Sequence, residues 1–315
     1  MGILESPARL RQCRKWGYSP TRRTIILGLV ASLILFVMLR SFPQYDMEQP
    51  YQSPASSSWR SSQDDRPIIT SDPFCVGFPR VDNIAIILKT GASESFNKIP
   101  TQLLTNMRCV SGGDFMIFSD KEEIIGGVQV HDSLDNMLPE AQADNFEFEI
   151  YRAQQNCIVD REHCFIPERN GNDDRPAGWR LDKYKNIHMA EKAWKALPDR
   201  DWYFFIDADT YVFWDTLVMW LKQMDPTRKH FLGNIHDHGT GPFAHGGSGY
   251  LLSHPAMSEL LDKNPGVARQ YDMVALGLCC GDLMFSQAMK EKADIEVVGV
   301  VSTIPFPAIK QPKRD

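Results

Sequence analysis

The clearest indication of a fold in this sequence is Trp202-Tyr-Phe-Phe-Ile-Asp-Ala-Asp209. Its first five residues, Trp202–Ile206, are all apolar, which is typical of a strand buried on both faces at the centre of a sheet. Two carboxylates, Asp207 and Asp209, follow directly. Because ligands of α/β sheets bind at the carboxyl ends of strands, the stretch also predicts where the chemistry takes place.

The spacing of these two carboxylates suits a hard divalent cation. Oxygen ligands at positions i and i+2 fit Mg²⁺ or Mn²⁺, and such an ion keeps positions open for substrate phosphates. Two other interpretations explain the same residues: a solvated turn, or a helix N-cap formed by Asp209 ahead of Thr210. The buried strand that precedes the pair favours the metal site.

Apolar patterns on both sides of this stretch alternate between strand and helix. This alternation predicts an α/β fold in which helices cover both faces of a mostly parallel sheet. The predicted strands are Asn83–Lys89, Asp114–Ser119 and Gly127–His131, and the predicted helices are Ser95–Val110, Leu181–Leu197 and Trp214–Met224.

A glycine-rich segment, Phe243-Ala-His-Gly-Gly-Ser-Gly-Tyr250, lies downstream. Its glycines allow the backbone to approach a ligand closely. The spacing matches neither the P-loop nor the dinucleotide fingerprint, so neither fold is supported. The alternative is a strained turn into a strand at Tyr250–Ser253, with His245 as a packed, hydrogen-bonded histidine.

A second acidic motif, Cys279-Cys-Gly-Asp282, precedes a predicted helix at Leu283–Lys290. Asp282 is either the N-cap of this helix or a general base that takes a hydroxyl proton.

The cysteines indicate an oxidising compartment for most of the chain. Six of the seven, all except Cys13, follow the apolar run near the N-terminus, and an even number there predicts disulfides. Fifteen pairings are open, and Cys157 and Cys164 are close enough in sequence to close a local loop. Cys279 and Cys280 are expected to pair with other cysteines, since adjacent cysteines rarely bind each other. The lack of a C-x2-C pair argues against zinc.

The N-terminal region predicts a membrane anchor. Seven Lys/Arg and one acid give residues 1–40 a charge of +6, and an uncharged apolar run spans Ile25–Leu39. Basic residues before the run place the N-terminus in the cytosol. The predicted layout is a cytosolic tail at 1–23, a transmembrane signal-anchor at 24–40, a flexible stem at 41–73 and a lumenal domain at 74–315. A buried core helix and a cleaved signal peptide are the alternatives.

Composition excludes several classes of protein. The chain has 315 residues, 43% of them hydrophobic, which rules out a wholly disordered chain. The net charge of −6 with +6 in the first 40 residues leaves −12 for the rest, and this argues against nucleic-acid binding.

These motifs together resemble glycosyltransferase family 31, in its fringe-like and core 1 β-1,3-galactosyltransferase-like branch, with fungal members the most similar. The likeness runs from about Asn83 to Val300, with the motifs in the family's order. The matching stretches are Asp182-Lys-Tyr-Lys, Asp201-Trp-Tyr-Phe-Phe-Ile-Asp-Ala-Asp-Thr-Tyr-Val, Phe243-Ala-His-Gly-Gly-Ser-Gly-Tyr and Cys279-Cys-Gly-Asp-Leu.

The resemblance implies a GT-A fold, a manganese ion (or magnesium in its place), a UDP-sugar donor and a glycan or glycoprotein acceptor. Asp209 would be the direct metal ligand, with Asp207 near both metal and nucleotide, and Asp282 would be the catalytic base of an inverting, β-1,3-type transfer. The remaining residues implied at the donor are Thr90, Lys183, Lys185, His245, Gly246 and Gly247. The expected location is the Golgi membrane, as a single-pass type II protein; a homodimer is left open.

Two departures from the family pattern keep other functions open. Ala208 stands where many members have a third acid, and no histidine follows His254, although the family supplies a histidine metal ligand there. The tail is therefore expected to be truncated or mis-spliced, with weak metal binding. A catalytically inactive lumenal partner or chaperone of a glycosyltransferase is the main alternative, and an anchored hydrolase that uses two acids is the weaker one.

Overall fold

A computed structural model describes residues 72–156, 176–237, 239 and 241–299. The predicted tail and anchor, all but the last two residues of the predicted stem, Cys157, Cys164 and the last residues of the chain lie outside these ranges. Within them, no helix combines the length and apolar character that crossing a membrane requires.

Eight strands form one mixed, mostly parallel sheet, in the order β10-β6-β9-β5-β1-β2-β4-β3, and β7 and β8 form a separate hairpin. The strands are β1 (Ile84–Lys89), β2 (Phe115–Ser119), β3 (Glu123–Ile125), β4 (Val128–Asp132), β5 (Trp202–Asp207), β6 (Phe231–Gly233), β7 (Ile235–Asp237), β8 (Pro242–Ala244), β9 (Tyr250–Ser253) and β10 (Val298–Gly299).

Helices pack on both faces of the sheet. They are α1 (Ser95–Leu104), α2 (Pro139–Gln142), α3 (Glu149–Asn156), α4 (Ala177–Asp182), α5 (Lys185–Ala196), α6 (Trp214–Leu221), α7 (His254–Leu261), α8 (Val267–Ala275) and α9 (Gly281–Ala293). Short 3-10 turns occupy Pro73–Cys75, Phe146–Phe148 and Gly246–Ser248.

Two hydrophobic cores lie on opposite faces of the sheet, and the central strands contribute to both. In β1, Ala85 and Ile87 pack in one core while Ile86 and Leu88 pack in the other. Because successive side chains of a strand point to opposite faces, an unbroken apolar run satisfies both cores. The α/β class and the central position of β5 are therefore confirmed.

Three predicted helices are shorter or interrupted in the structure, and the one predicted over Trp214–Met224 ends at Leu221. The predicted Leu181–Leu197 helix is split between α4 and α5, where the Tyr184 N–H donates to Leu181 O in a tight turn of the 3-10 type. The predicted Ser95–Val110 helix ends at Leu104, and the turn after it is again tight, with the Thr105 N–H donating to Gln102 O.

The disulfides correct one prediction. Cys75 binds Cys109, and Cys279 binds its neighbour Cys280, so the expectation that these adjacent cysteines pair elsewhere is wrong. The local backbone, extended at Cys280 (φ −144°, ψ 136°), brings the two neighbouring sulfur atoms together, and no sequence pattern specifies that conformation.

Candidate active site

The topology brings several polar strand ends to one edge of the sheet. Strands β1 and β5 run parallel with Lys89 beside Asp207, and Asp120 directly follows the parallel neighbour β2. Strand β9 runs antiparallel to β5 with Tyr250 beside Phe205, which brings the preceding glycine segment to the same edge. This carboxyl edge therefore collects the sequence motifs that were singled out.

The acidic pair lies in the turn that ends β5. Asp209 has a side chain that is 64% exposed, whereas Asp207 is half-buried beside Lys89. Helix α6 begins only at Trp214, so Asp209 does not cap it. The N-cap interpretation is therefore wrong, and the carboxylate of Asp209 is accessible to a ligand.

A network of ion pairs between buried lysines and buried or half-buried acids lies beside the acidic turn. The Lys89 ammonium contacts Asp182 and lies 3.3 Å from Asp207 Oδ1. Lys185, only 1% exposed, donates to Thr90 O at 2.9 Å and to the fully buried Asp120 at 3.2 Å. Buried charges are expensive, and their pairing here stabilises the arrangement of the strand ends.

The carboxylates in this region outnumber the ammonium groups. With all groups ionised, six acids and three lysines leave three negative charges in excess. The acids are Glu94, Asp120, Asp182, Asp207, Asp209 and Asp282, and the lysines are Lys89, Lys98 and Lys185. This excess favours the binding of a cation at the edge.

Burial and the neighbouring charges together set the direction in which the pKa values of Asp207 and Asp182 are shifted. Burial raises the pKa of Asp207 above its ordinary value; Lys89 opposes this, and the negative charges of Asp182 and Asp209 add to it. Burial would also raise the pKa of Asp182, but Lys89 and Lys185 outweigh it and hold that pKa below the ordinary value. The neighbouring lysines therefore compensate the negative charge of Asp207 less well than that of Asp182.

The glycine segment connects the acidic turn to Asp282. The Gly246 N–H donates to Asp282 Oδ2 at 2.8 Å, and the Thr210 hydroxyl donates to Gly247 O at 3.0 Å. A methyl group placed on Gly246 would lie 3.4 Å from Asp282 Oδ2 and 3.8 Å from Asp207 Oδ2. The predicted base and the predicted metal motif thus border the same glycine.

Asp282 is not the N-cap of its helix, since that position belongs to Cys280. Its Oδ1 accepts the Leu283 N–H at 2.8 Å, and its Oδ2 accepts Gly246. A carboxylate oxygen has room for a second donor, so Asp282 is held in place and can still accept a hydroxyl proton.

Close packing at Gly281 holds the start of α9 against the rest of the site. A methyl group on this residue would lie 2.6 Å from Asn186 Oδ1, 2.9 Å from Asp182 O and 3.0 Å from Lys183 O. Only glycine fits there, and the approach places Asp282 close to the α4–α5 turn.

The other predicted donor residues lie in different surroundings, and only some of them belong to the ion-pair network. Thr90 and Lys185 belong to the buried network, and Thr90 Oγ1 has no hydrogen-bond partner among the described residues. His245 is hydrogen-bonded to the Ser248 hydroxyl at 2.9 Å and stacks on His236, as the packed-histidine interpretation expects. The Lys183 ammonium contacts Glu147 at 2.9 Å, and no contact within the described ranges joins it to Asp207.

Two buried amide side chains hold the segment after the acidic turn: Gln102 of helix α1, and Asn106 in the turn that follows this helix. The Gln102 amide donates to Ala208 O at 2.8 Å and to Thr210 O at 3.1 Å. The Asn106 amide also donates to Thr210 O, and its oxygen accepts the Val212 N–H at 3.1 Å. The same helix contributes Lys98, whose ammonium lies 3.0 Å from Asp209 Oδ2.

The donor set fits a hard cation only as a partial shell. Asp207 and Asp209 supply carboxylate oxygens, but no group of three or more His, Cys, Asp or Glu side chains able to hold a metal occurs among the described residues. Mg²⁺ and Mn²⁺ sites built on one or two carboxylates are completed by substrate phosphates and water. The two acids therefore suit an ion that binds together with a phosphate ligand.

The sequence identifies Asp182 only as part of a matching stretch, and it does not identify six other residues of this edge: Lys89, Asp120, Asn186, Lys98, Gln102 and Asn106. The position of Lys89 and Asp120 at the ends of apolar runs was the signal that could have identified them. No local pattern identifies Lys98, Gln102 or Asn106, because their role depends on the packing of α1 against the acidic turn.

The chain matches no protein-family model, and no curated protein matches its sequence. The function therefore has to be argued from the geometry of the carboxyl edge.

Proposed function

We propose that this protein is a metal-dependent, inverting glycosyltransferase of GT-A type that moves a hexose or N-acetylhexosamine from a UDP-sugar to a hydroxyl of a glycan or glycoprotein. One observation carries the proposal: Asp207 and Asp282, more than 70 residues apart in the chain, border the same glycine at the carboxyl edge of the central strand. Transfer needs a site for the diphosphate and a base for the acceptor hydroxyl within one site.

The chemistry assigns one role to each carboxylate. Asp282 accepts the proton of the acceptor hydroxyl while the hydroxyl oxygen bonds to the anomeric carbon from the face opposite UDP. The bond to the UDP oxygen breaks with its electron pair, so the anomeric configuration inverts to β. Asp207 and Asp209 would hold Mn²⁺ or Mg²⁺, which, when bound, neutralises charge on the departing diphosphate.

The rest of the protein's organisation belongs to the same proposal. A signal-anchor at 24–40 and a stem at 41–73 would hold the domain in the Golgi lumen, where its donor and acceptors meet. The disulfides of the described domain are compatible with that oxidising compartment.

A second function is favoured by a specific observation. Among the described residues the two acids find no third metal-binding side chain, and Lys98 already contacts Asp209. A catalytically inactive lumenal partner or chaperone of a glycosyltransferase would have no need of a complete metal site.

Binding and turnover separate the two candidates. The transferase predicts that UDP stabilises the full chain against heat only when Mn²⁺ is present, and that a panel of UDP-sugars shows slow hydrolysis. Asp209→Ala is expected to abolish both effects without changing the melting temperature of the free protein, because the side chain is mostly exposed. Asp82→Ala, which removes an exposed acid from the opposite edge, is the control.

Failure of UDP to stabilise the chain at any Mn²⁺ concentration, together with no hydrolysis of any UDP-sugar, would contradict the transferase and leave the inactive partner.

A further inference from the structure

Two exposed aromatic rings follow the acidic turn. Tyr211 is 66% exposed and Phe213 is 69% exposed, while Val212 between them is buried. The segment is therefore extended, with alternate side chains pointing out of and into the fold. Asp209, in the turn before this segment, is exposed as well, and we call these three exposed residues the aromatic row (Asp209, Tyr211, Phe213).

The backbone that carries the row is held rigidly. Buried amides of Gln102 and Asn106 bind the Thr210 carbonyl, and the Val212 N–H binds Asn106 Oδ1. The Trp214 indole N–H donates to Asn106 O at 2.8 Å. Because the segment is fixed before a ligand arrives, binding to the rings incurs little ordering cost.

The two rings form a corner. Their centroids are 5.2 Å apart and their planes meet at 80°. A flat ligand that lies on one ring therefore has the edge of the other beside it. Two side chains alone offer far less area than a stable protein interface, which buries roughly 1,200 Å² or more.

A pyranose matches this corner in its chemistry. One face of the sugar ring presents C–H groups, which pack on an aromatic face, and its rim presents hydroxyls that need hydrogen-bond partners. The Tyr211 hydroxyl supplies such a partner, since no hydrogen bond within the described residues engages it.

We propose that Tyr211 and Phe213 bind one pyranose ring of the acceptor and thereby select a glycan acceptor. The assignment of this sugar to the acceptor rests on the proposed function; the binding of a pyranose to the rings does not.

The test measures binding of four methyl pyranosides, the galactoside, glucoside, mannoside and N-acetylglucosaminide, to the full chain in detergent by saturation-transfer NMR. The Tyr211→Ala/Phe213→Ala double variant is expected to weaken binding of the preferred glycoside about tenfold. Tyr211→Phe, which keeps the ring and loses the hydroxyl, should weaken binding less than the double variant does. Met219→Ala removes an equally exposed apolar side chain from α6 and should change nothing.

The two proposals fail in different ways. Stabilisation by UDP with Mn²⁺ is recorded on the same samples and reports the donor site alone. If pyranosides bind through the rings but UDP never stabilises the chain, the pyranose site stands and the transferase fails. If no glycoside binds, or the double variant binds as well as the unchanged chain, the aromatic row is not a sugar site. Association of the chain through these rings with itself or with detergent would give that second result.

Discussion

Ion pairs are exposed to solvent at one edge of the central sheet and buried at the other. At the amino edge, Arg80 and Asp82 pair in solvent, with side chains 88% and 58% exposed. At the carboxyl edge, Lys185 and Asp120 pair while almost completely buried. An exposed pair contributes little to stability and is easily tolerated, whereas a buried pair needs a well-formed partner for each charge.

The space available at the amino edge differs too. A cavity of about 330 Å³ opens there over an apolar floor that includes Ile84, Trp202 and Leu221. Its volume would admit a small molecule, but the charged side chains around it are exposed. The placement of buried charge, more than the size of a cavity, therefore distinguishes the candidate site from the amino edge.

The largest expected difference between the edges is in stability. Lys185→Met leaves Asp120 buried without its ammonium partner and is expected to lower the free energy of unfolding by about 3–5 kcal/mol. The matched change Lys222→Met, at an exposed lysine beside the amino-edge cavity, should leave it unchanged. Urea unfolding followed by circular dichroism measures both, and equal losses would show that the buried pair has no special importance.

A second pair of variants tests close packing. Gly281→Ala forces a methyl group against Asn186 Oδ1 and two carbonyls, and should cost about 1–3 kcal/mol. It should also displace Asp282 and lower the turnover of UDP-sugar. Gly113→Ala, near the amino edge, meets no atom within 4 Å and is the control. Full activity in the Gly281 variant would mean that the start of α9 does not have to be held so closely.

The smallest expected effect is on the affinity for Mn²⁺. Lys98 and a metal ion compete for Asp209 Oδ2, so Lys98→Gln is expected to tighten Mn²⁺ binding by about two- to fivefold, as for other exposed charge pairs. Titration of Mn²⁺ by isothermal calorimetry in the presence of UDP measures it, with Lys222→Gln for comparison. Weaker Mn²⁺ binding would show instead that Lys98 holds Asp209 in the orientation that the metal needs.

The sequence predicted the centre of this fold better than its periphery. Strand β5 and its neighbour β1 are buried on both faces, so their apolar runs are continuous and easily read. Strands such as β6 and β10 have only two or three residues, too few for a pattern, and their place in the sheet depends on pairing with distant segments.

In the candidate site, too, some residues could be predicted from the sequence and others could not. Asp207, Asp209 and Asp282 could be predicted because each stands beside a recognisable strand or helix. Lys98 and Asn106 could not, since nothing in the local sequence says that α1 packs against the turn after β5. The disulfide between Cys279 and Cys280 could not be predicted either, since it depends on a local backbone conformation that no sequence pattern specifies.

The hydrogen bonds from Gln102 and Asn106 also restrict how this chain can vary in length. They bind the backbone at fixed positions between Ala208 and Val212, where side chains alternate between inside and outside. Deleting or inserting one residue there would turn Val212 towards solvent and an aromatic ring into the core. Substitutions at Tyr211 and Phe213 are therefore tolerable, while changes of length between Asp209 and Trp214 are not.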